Sequence, residues 1–168
     1  MEMESLRELY IEELKDLYSA ENQIIKALPK MVKAATSSEL KKGFEQHLAQ
    51  TRGQVERLEK IFKELDESPK GKKCKGMEGL LEEGKEWMEE DAEPEVMDAG
   101  LIAAAQHVEH YEIAGYGCVR TYAELLGFTN AAKLLQQTLD EEKQTDEKLT
   151  GLAQTINVEA EKSRLTVG

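Results

Sequence analysis

The sequence predicts an all-α fold, an antiparallel four-helix bundle with one crossover connection that carries a short fifth helix. Three observations predict it. Apolar residues recur at steps of three and four over four long stretches, the period of a helix that buries one face. Helix formers dominate the 168 residues, while three prolines and 5% aromatic residues argue against a β-sandwich or barrel. Two connections are short, so the helices they join run antiparallel, whereas residues 66–93 are long enough to cross the bundle.

Ser5-x-x-Glu8 reads as a capping box that opens the first helix, which is expected to run to about Ala35. Pro29 removes the bond to the carbonyl of Ile25 and predicts a kink there. Thr36-Ser37-Ser38 breaks the pattern and caps a second helix, about Glu39 to Leu65, so the first hairpin covers residues 5–65. The loop from Asp66 to Gly76 holds Pro69 and four lysines, Lys70, Lys72, Lys73 and Lys75. On so acidic a chain it reads as a solvated loop rather than a nucleic-acid contact. A short helix follows within residues 77–90, with Met77, Leu80, Leu81, Gly84, Trp87 and Met88 on one side. Pro94 suits the first turn of the third long helix, and Gly127 its C′ position. Thr129 is then expected to cap the fourth, about Asn130 to Ile156, which closes a second hairpin over residues 94–156. The bundle thus spans residues 1–156, and the polar, unpatterned residues 157–168 are expected to form a flexible tail.

The formal net charge of −12 argues against a nucleic-acid backbone as partner. No apolar run approaches ~18 residues, so no membrane span is expected, and with no signal peptide ahead of Leu6 the chain reads as cytoplasmic. Cys74 and Cys118 have no CxxC spacing and read as reduced thiols.

The informative anomaly is acidic. The third helix carries the stripe Ala105, Val108, Glu112, Gly115, Val119 and Tyr122, with Glu109 one turn before Glu112. At a constant offset (112 − 21 = 91) it maps onto Leu14, Leu17, Glu21, Ile24, Leu28 and Met31 of the first helix. The same offset aligns Phe44, Leu48, Thr51, Val55, Leu58 and Phe62 with Leu135, Leu139, Glu142, Asp146, Leu149 and Ala153. The chain therefore reads as a doubled helical hairpin with acids in the middle layer of three helices. A carboxylate at a core position must be paired, protonated or bound to a cation. Dinuclear carboxylate bundles use one Glu from each of two helices and Glu-x-x-His from each of the others. Glu21 and Glu112 occupy the single-Glu positions, but the paired positions read Thr51-x-x-Gln54 and Glu142-x-x-Thr145, without histidine. The candidate metal ligands are Glu21, Glu109, Glu112, Glu142 and Asp146. Oxygen ligation favours hard divalent ions. Arg57 and Lys148 are the candidate partners of these acids in the absence of metal. His107 and His110 face away from the stripe, and His47 reads as a polar flank of the second helix. No residue is assigned a catalytic role.

Several segments resemble the YciF-type (YciE/YciF) bacterial stress proteins of the ferritin-like superfamily. They are DLYSAENQIIKALPKM from Asp16, HLAQTRGQVERLE from His47, MEGLLEE from Met77, AGLIAAAQHVEHYEIAGYG from Ala99 and LLQQTLDEEKQTDEKLTGLA from Leu134. The resemblance covers nearly the whole chain. It implies a rubrerythrin-like bundle, a homodimer and a link to stress responses; the core carboxylates themselves lead to the expectation of divalent metal ions as cofactor, iron or manganese and as many as two. The absence of both motif histidines departs from the superfamily pattern and counts against iron oxidation. Two functions follow: a stress-associated protein with a carboxylate-rich metal site, or a non-catalytic helical stress protein on a degenerate metal scaffold.

Overall fold

The computed structural model describes residues 3–163, and all regular structure among them is helical. Four long helices, α1 (Leu6–Ala34), α2 (Ser38–Leu65), α4 (Pro94–Leu125) and α5 (Thr129–Ser163), form the bundle, and the short α3 (Lys75–Met88) lies in the crossover. Helix α1 pairs with α2 and α4 with α5, while α1 meets α4 and α2 meets α5 across the bundle. Helix α3 packs on α4 and α1.

The ends of the helices follow local chemistry. Ser5 and Glu8 form the reciprocal capping box, satisfying two otherwise orphan N–H groups of α1. Helix α1 continues through Pro29, which lies on its exposed face, where water can take up the released carbonyl. Ser37 caps α2 by accepting from the N–H of Leu40. Helix α4 has Pro94 in its first turn and ends at Gly127, whose φ of +81° suits a residue without a Cβ. There the N–H groups of Gly127 and Phe128 donate to the carbonyls of Glu124 and Ala123, which turns the chain into α5. Phe128 rather than Thr129 stands at the cap position of α5, since its carbonyl accepts the Ala132 N–H.

One tether was not visible in the pattern. The Asp98 carboxylate, buried near the start of α4, accepts the backbone N–H groups of both Thr36 and Ser37 at 2.8 Å. A single side chain thus fixes the α1–α2 turn to the second hairpin. Trp87 anchors the crossover by donating its ring N–H to the Met97 carbonyl.

The expectation of a flexible tail from residue 157 is corrected over part of its length. Helix α5 continues to Ser163, although Ile156 is its last buried residue. No glycine or proline stops it, so intrinsic propensity carries the helix past the end of its packed face. Residues 164–168 lie outside the described residues.

The core consists of two apolar halves. One gathers Ile24, Leu28, Met31, Phe44, Ala105, Val108 and Leu149, the other Tyr10, Leu14, Leu17, Leu58, Tyr116, Val119, Leu135 and Leu139. On every long helix the break between the halves falls in the turns that carry the buried acids and their neighbours.

Replacing Asp98 with Ala leaves two backbone donors at the α1–α2 turn without their acceptor. A loss of about 2–3 kcal/mol in urea unfolding is expected, larger than for an ordinary neutral hydrogen bond. A change near zero would show that the tether is dispensable.

Candidate metal centre

All four long helices send a titratable side chain into this layer: Glu21 from α1, His47 from α2, Glu109 and Glu112 from α4, and Glu142 from α5. Each is at most 3% exposed. Glu109 and Glu112 share a face because they lie three residues apart on one helix. The ligand atoms fall into two sets, each with its members within 4.8 Å of one another. One is His47, Glu109 and Glu142, and the other is Glu21, Glu112 and Glu142. Glu142 belongs to both.

The surroundings hold these groups without neutralising them. Tyr116 donates its hydroxyl to Glu21 Oε1 at 2.6 Å, and Gln54 Nε2 donates to Glu142 Oε1 at 2.5 Å. His47 Nε2 approaches Glu109 Oε1 to 2.9 Å, yet the ring N–H is not aligned for a hydrogen bond. Both carboxylate oxygens of Glu109 and of Glu112, and Oε2 of Glu142, receive no hydrogen bond from any other kind of residue among the described ones, so only a proton shared between neighbouring carboxyls, Glu21 with Glu112 and Glu109 with Glu142, or a cation satisfies them. Unpartnered buried acceptors of this kind are rare. Burial drives the titration of the acids. It pushes Glu21 up to about 7, held down in part by a hydrogen bond shared with Glu112. It also pushes Glu109 up to about 7, against a hydrogen bond with Glu142 that lowers it. Glu112 and Glu142 rise well above the usual carboxylate range through burial first, with the charges of Glu21 and Glu109 adding to it respectively.

Four of the five acids proposed from the sequence meet here: Glu21, Glu109, Glu112 and Glu142. The fifth, Asp146, lies at the margin, where its carboxylate faces His110 Nε2 at 3.1 Å and Gln106 Nε2 at 3.4 Å. The expected neutralising partners are engaged elsewhere. Arg57 binds Glu141 at 2.6 Å, and Lys148 reaches Gln46. His107 is exposed.

The residue that sequence reasoning missed is His47. The sequence pattern puts it on the flank of α2, but it is buried at the cluster, one turn before Thr51. The superfamily spacing directed attention to residue 54, whereas the imidazole enters from the preceding turn. Thr51, at the Glu position of that motif, spends its hydroxyl on the His47 carbonyl at 2.7 Å. A stripe drawn through Phe44, His47 and Thr51 instead of Phe44, Leu48 and Thr51 fits the helical period equally well and would have found it. The donor set is therefore four carboxylates and one imidazole, not oxygen alone.

The raised acids fix the pH dependence of metal-free stability. A carboxyl whose pKa rises on folding binds its proton more tightly in the folded state, so folding takes up protons and stability falls as pH rises. The fall starts near the unfolded value of 4.5, runs through about 7 for Glu21 and Glu109, and continues higher for Glu112 and Glu142. Thermal melts in chelator from about pH 5 to about pH 8 are expected to show a decreasing midpoint. A flat or rising midpoint would contradict this.

Comparison with known proteins follows the same lines. A family model described as a domain of unknown function (DUF892) matches residues 5–161. Protein YciF of Escherichia coli K12 is 48% identical over 163 residues, covering 96% of this chain and 98% of that protein. The crystal structure of that E. coli stress protein matches with a TM-score of 0.89 over 92% of this chain and 98% of its own. YcfI of Rhodopseudomonas palustris, 42% identical, matches at 0.86 over 89% of this chain and 95% of its own. A ferritin-like diiron-carboxylate protein of Bacillus anthracis shares the fold at a TM-score of 0.69, with 19% identity and coverage of 89% and 99%. The chain is thus a YciF homologue with a ferritin-like fold and belongs to the DUF892 family.

Proposed function

We propose that this protein holds two divalent metal ions, iron or manganese, in the buried layer and uses them to handle iron, oxygen or peroxide during stress. One observation carries the reading: carboxylate oxygens of Glu109, Glu112 and Glu142 converge in the core with no Lys or Arg beside them and His47 as the one basic side chain in contact among the described residues, too little to balance four glutamates. Charge supports two ions rather than one, since four ionised glutamates balance two divalent cations. Glu21 and Glu112 would hold one ion, His47 and Glu109 the other, and Glu142, common to both sets, would lie between them. Carboxylates with one imidazole suit iron or manganese better than a thiolate-seeking ion.

When bound, such ions supply electrons to an oxygen-derived oxidant. The chain's own residues prepare the place. Tyr116 orients Glu21, Gln54 orients Glu142, and the apolar halves on either side keep bulk water away. Cation binding and proton loss are coupled, because the acids must ionise before they ligate. The reading includes a homodimer, as in the resemblance that the sequence carries. A second reading, a stress protein whose core cluster holds only protons, is supported by Thr51 and Thr145 at the motif positions.

Elemental analysis of protein loaded with iron or manganese separates the two. About two ions per chain are expected, falling to about one in His47→Ala and below one in Glu142→Ala. At metal a thousandfold above its Kd, each occupied site should stabilise the fold by about 4 kcal/mol, about 8 kcal/mol for two, and most of that gain should be lost in Glu142→Ala. No stoichiometric metal, or metal indifferent to Glu142, would overturn the proposal in favour of the proton-filled core.

A further inference from the structure

The lysine-rich stretch between α2 and α3 is not a free solvated loop. Its last residue, Cys74, is buried and tied to α1 on both sides of its backbone. Its N–H donates to Ser19 Oγ at 2.9 Å, and its carbonyl accepts from Gln23 Nε2 at 3.1 Å. At Gly71 the loop lies so close to α1 that a Cβ there would stand 2.9 Å from the Cβ of Lys15. Pinned at these points, the loop and α1 enclose an open cleft of about 460 Å³. Lys15, Lys26, Lys70 and Lys73 line it together with Tyr18, Ser19, Asn22 and Gln23, and no carboxylate does. A second cleft of about 460 Å³ between α1 and α3 continues from it, sharing Gln23, Lys26 and Lys73 and adding Lys30 and Lys85.

The nearby acids leave this charge uncancelled. Glu12 lies 3.7 Å from Lys15, and Glu78 pairs with Lys73 at 3.0 Å in a solvent-exposed contact of little strength. Asp16 and Glu59 accept the hydroxyls of Tyr111 and Tyr18, and Glu78 and Glu82 line only the α3 half. Lys26 and Lys70 have no ion-pair partner among the described residues. On a chain of net charge −12, so many ammonium groups around one concavity mark a local positive site.

We propose that the cleft between α1 and the 66–74 loop binds a small anion bearing two or more phosphate groups. Several separated ammonium groups call for charge on more than one centre, which a single carboxylate lacks. The volume lies within the range of small-molecule sites. Size decides against a macromolecule: a duplex or a membrane also meets the acidic remainder of the surface, whereas a small ion touches only the concavity, whose lining holds four lysines and no carboxylate. The site is independent of the metal centre.

Isothermal titration of the full chain with inorganic pyrophosphate at about 0.15 M salt is expected to show one saturable site. Lys26→Gln with Lys73→Gln should weaken it about tenfold or more, while Lys41→Gln with Lys42→Gln on α2 leaves it unchanged. Gly71→Ala, which displaces the loop without altering charge, should weaken it too. Inorganic phosphate binding as tightly as pyrophosphate would overturn the multiple-phosphate assignment. Displacement of pyrophosphate by anionic vesicles or a DNA duplex would overturn the small-molecule one. Absence of saturation at millimolar pyrophosphate, or equal loss in both lysine pairs, would overturn the site itself.

Discussion

Four carboxylates removed from water within one layer of a helical bundle set the terms for the rest of this structure. Each resists burial in its charged form, and together they repel. The fold nevertheless packs them with at most 1% of any one exposed. The apolar core divides around them, so the layer is flanked by hydrophobic packing on both sides. Neither Arg57 nor Lys148 compensates them: Arg57 pairs with the half-buried Glu141 and Lys148 reaches Gln46. Protons or cations are left to balance the charge, and the two choices pull in opposite directions with pH. Protons satisfy the layer at low pH, and metal satisfies it where the acids ionise.

The bundle was legible because its physics is periodic. The offset between the halves placed Glu21 opposite Glu112, and the burial of Leu14, Leu17, Ile24, Leu28 and Met31 follows the stripe residue by residue. The capping box at Ser5, the proline at the start of α4 and the glycine after its end are local signals that need no tertiary information. On α4 the stripe was right in direction but too narrow. Glu109, Tyr116 and Ala123 are buried, while Gly115 and Tyr122 are only half-buried. A long helix between two neighbours buries a wider arc than one row of residues.

The layer was harder to read for the same reason. His47 and Leu48 fit the period of α2 equally, and the family spacing favoured neither. Asp146 fell in phase with the core in the doubled pattern, yet its distance from the bundle axis depends on side-chain partners that periodicity does not encode. At the margin its carboxylate meets Gln106 and the exposed His110 instead. Asp98 was invisible because its role is a contact between segments far apart in sequence, at the α1–α2 turn. The lysines of the loop were visible, but their confinement against α1 is tertiary.

The central claim is that the acidic layer is a place for two cations and not a relic filled with protons. Anomalous scattering from a crystal grown with manganese tests it most directly. The account predicts two peaks in the core of each chain, one among Glu21, Glu112 and Glu142 and the other among His47, Glu109 and Glu142. A map with no anomalous density in that layer, while surface sites are occupied, would contradict it.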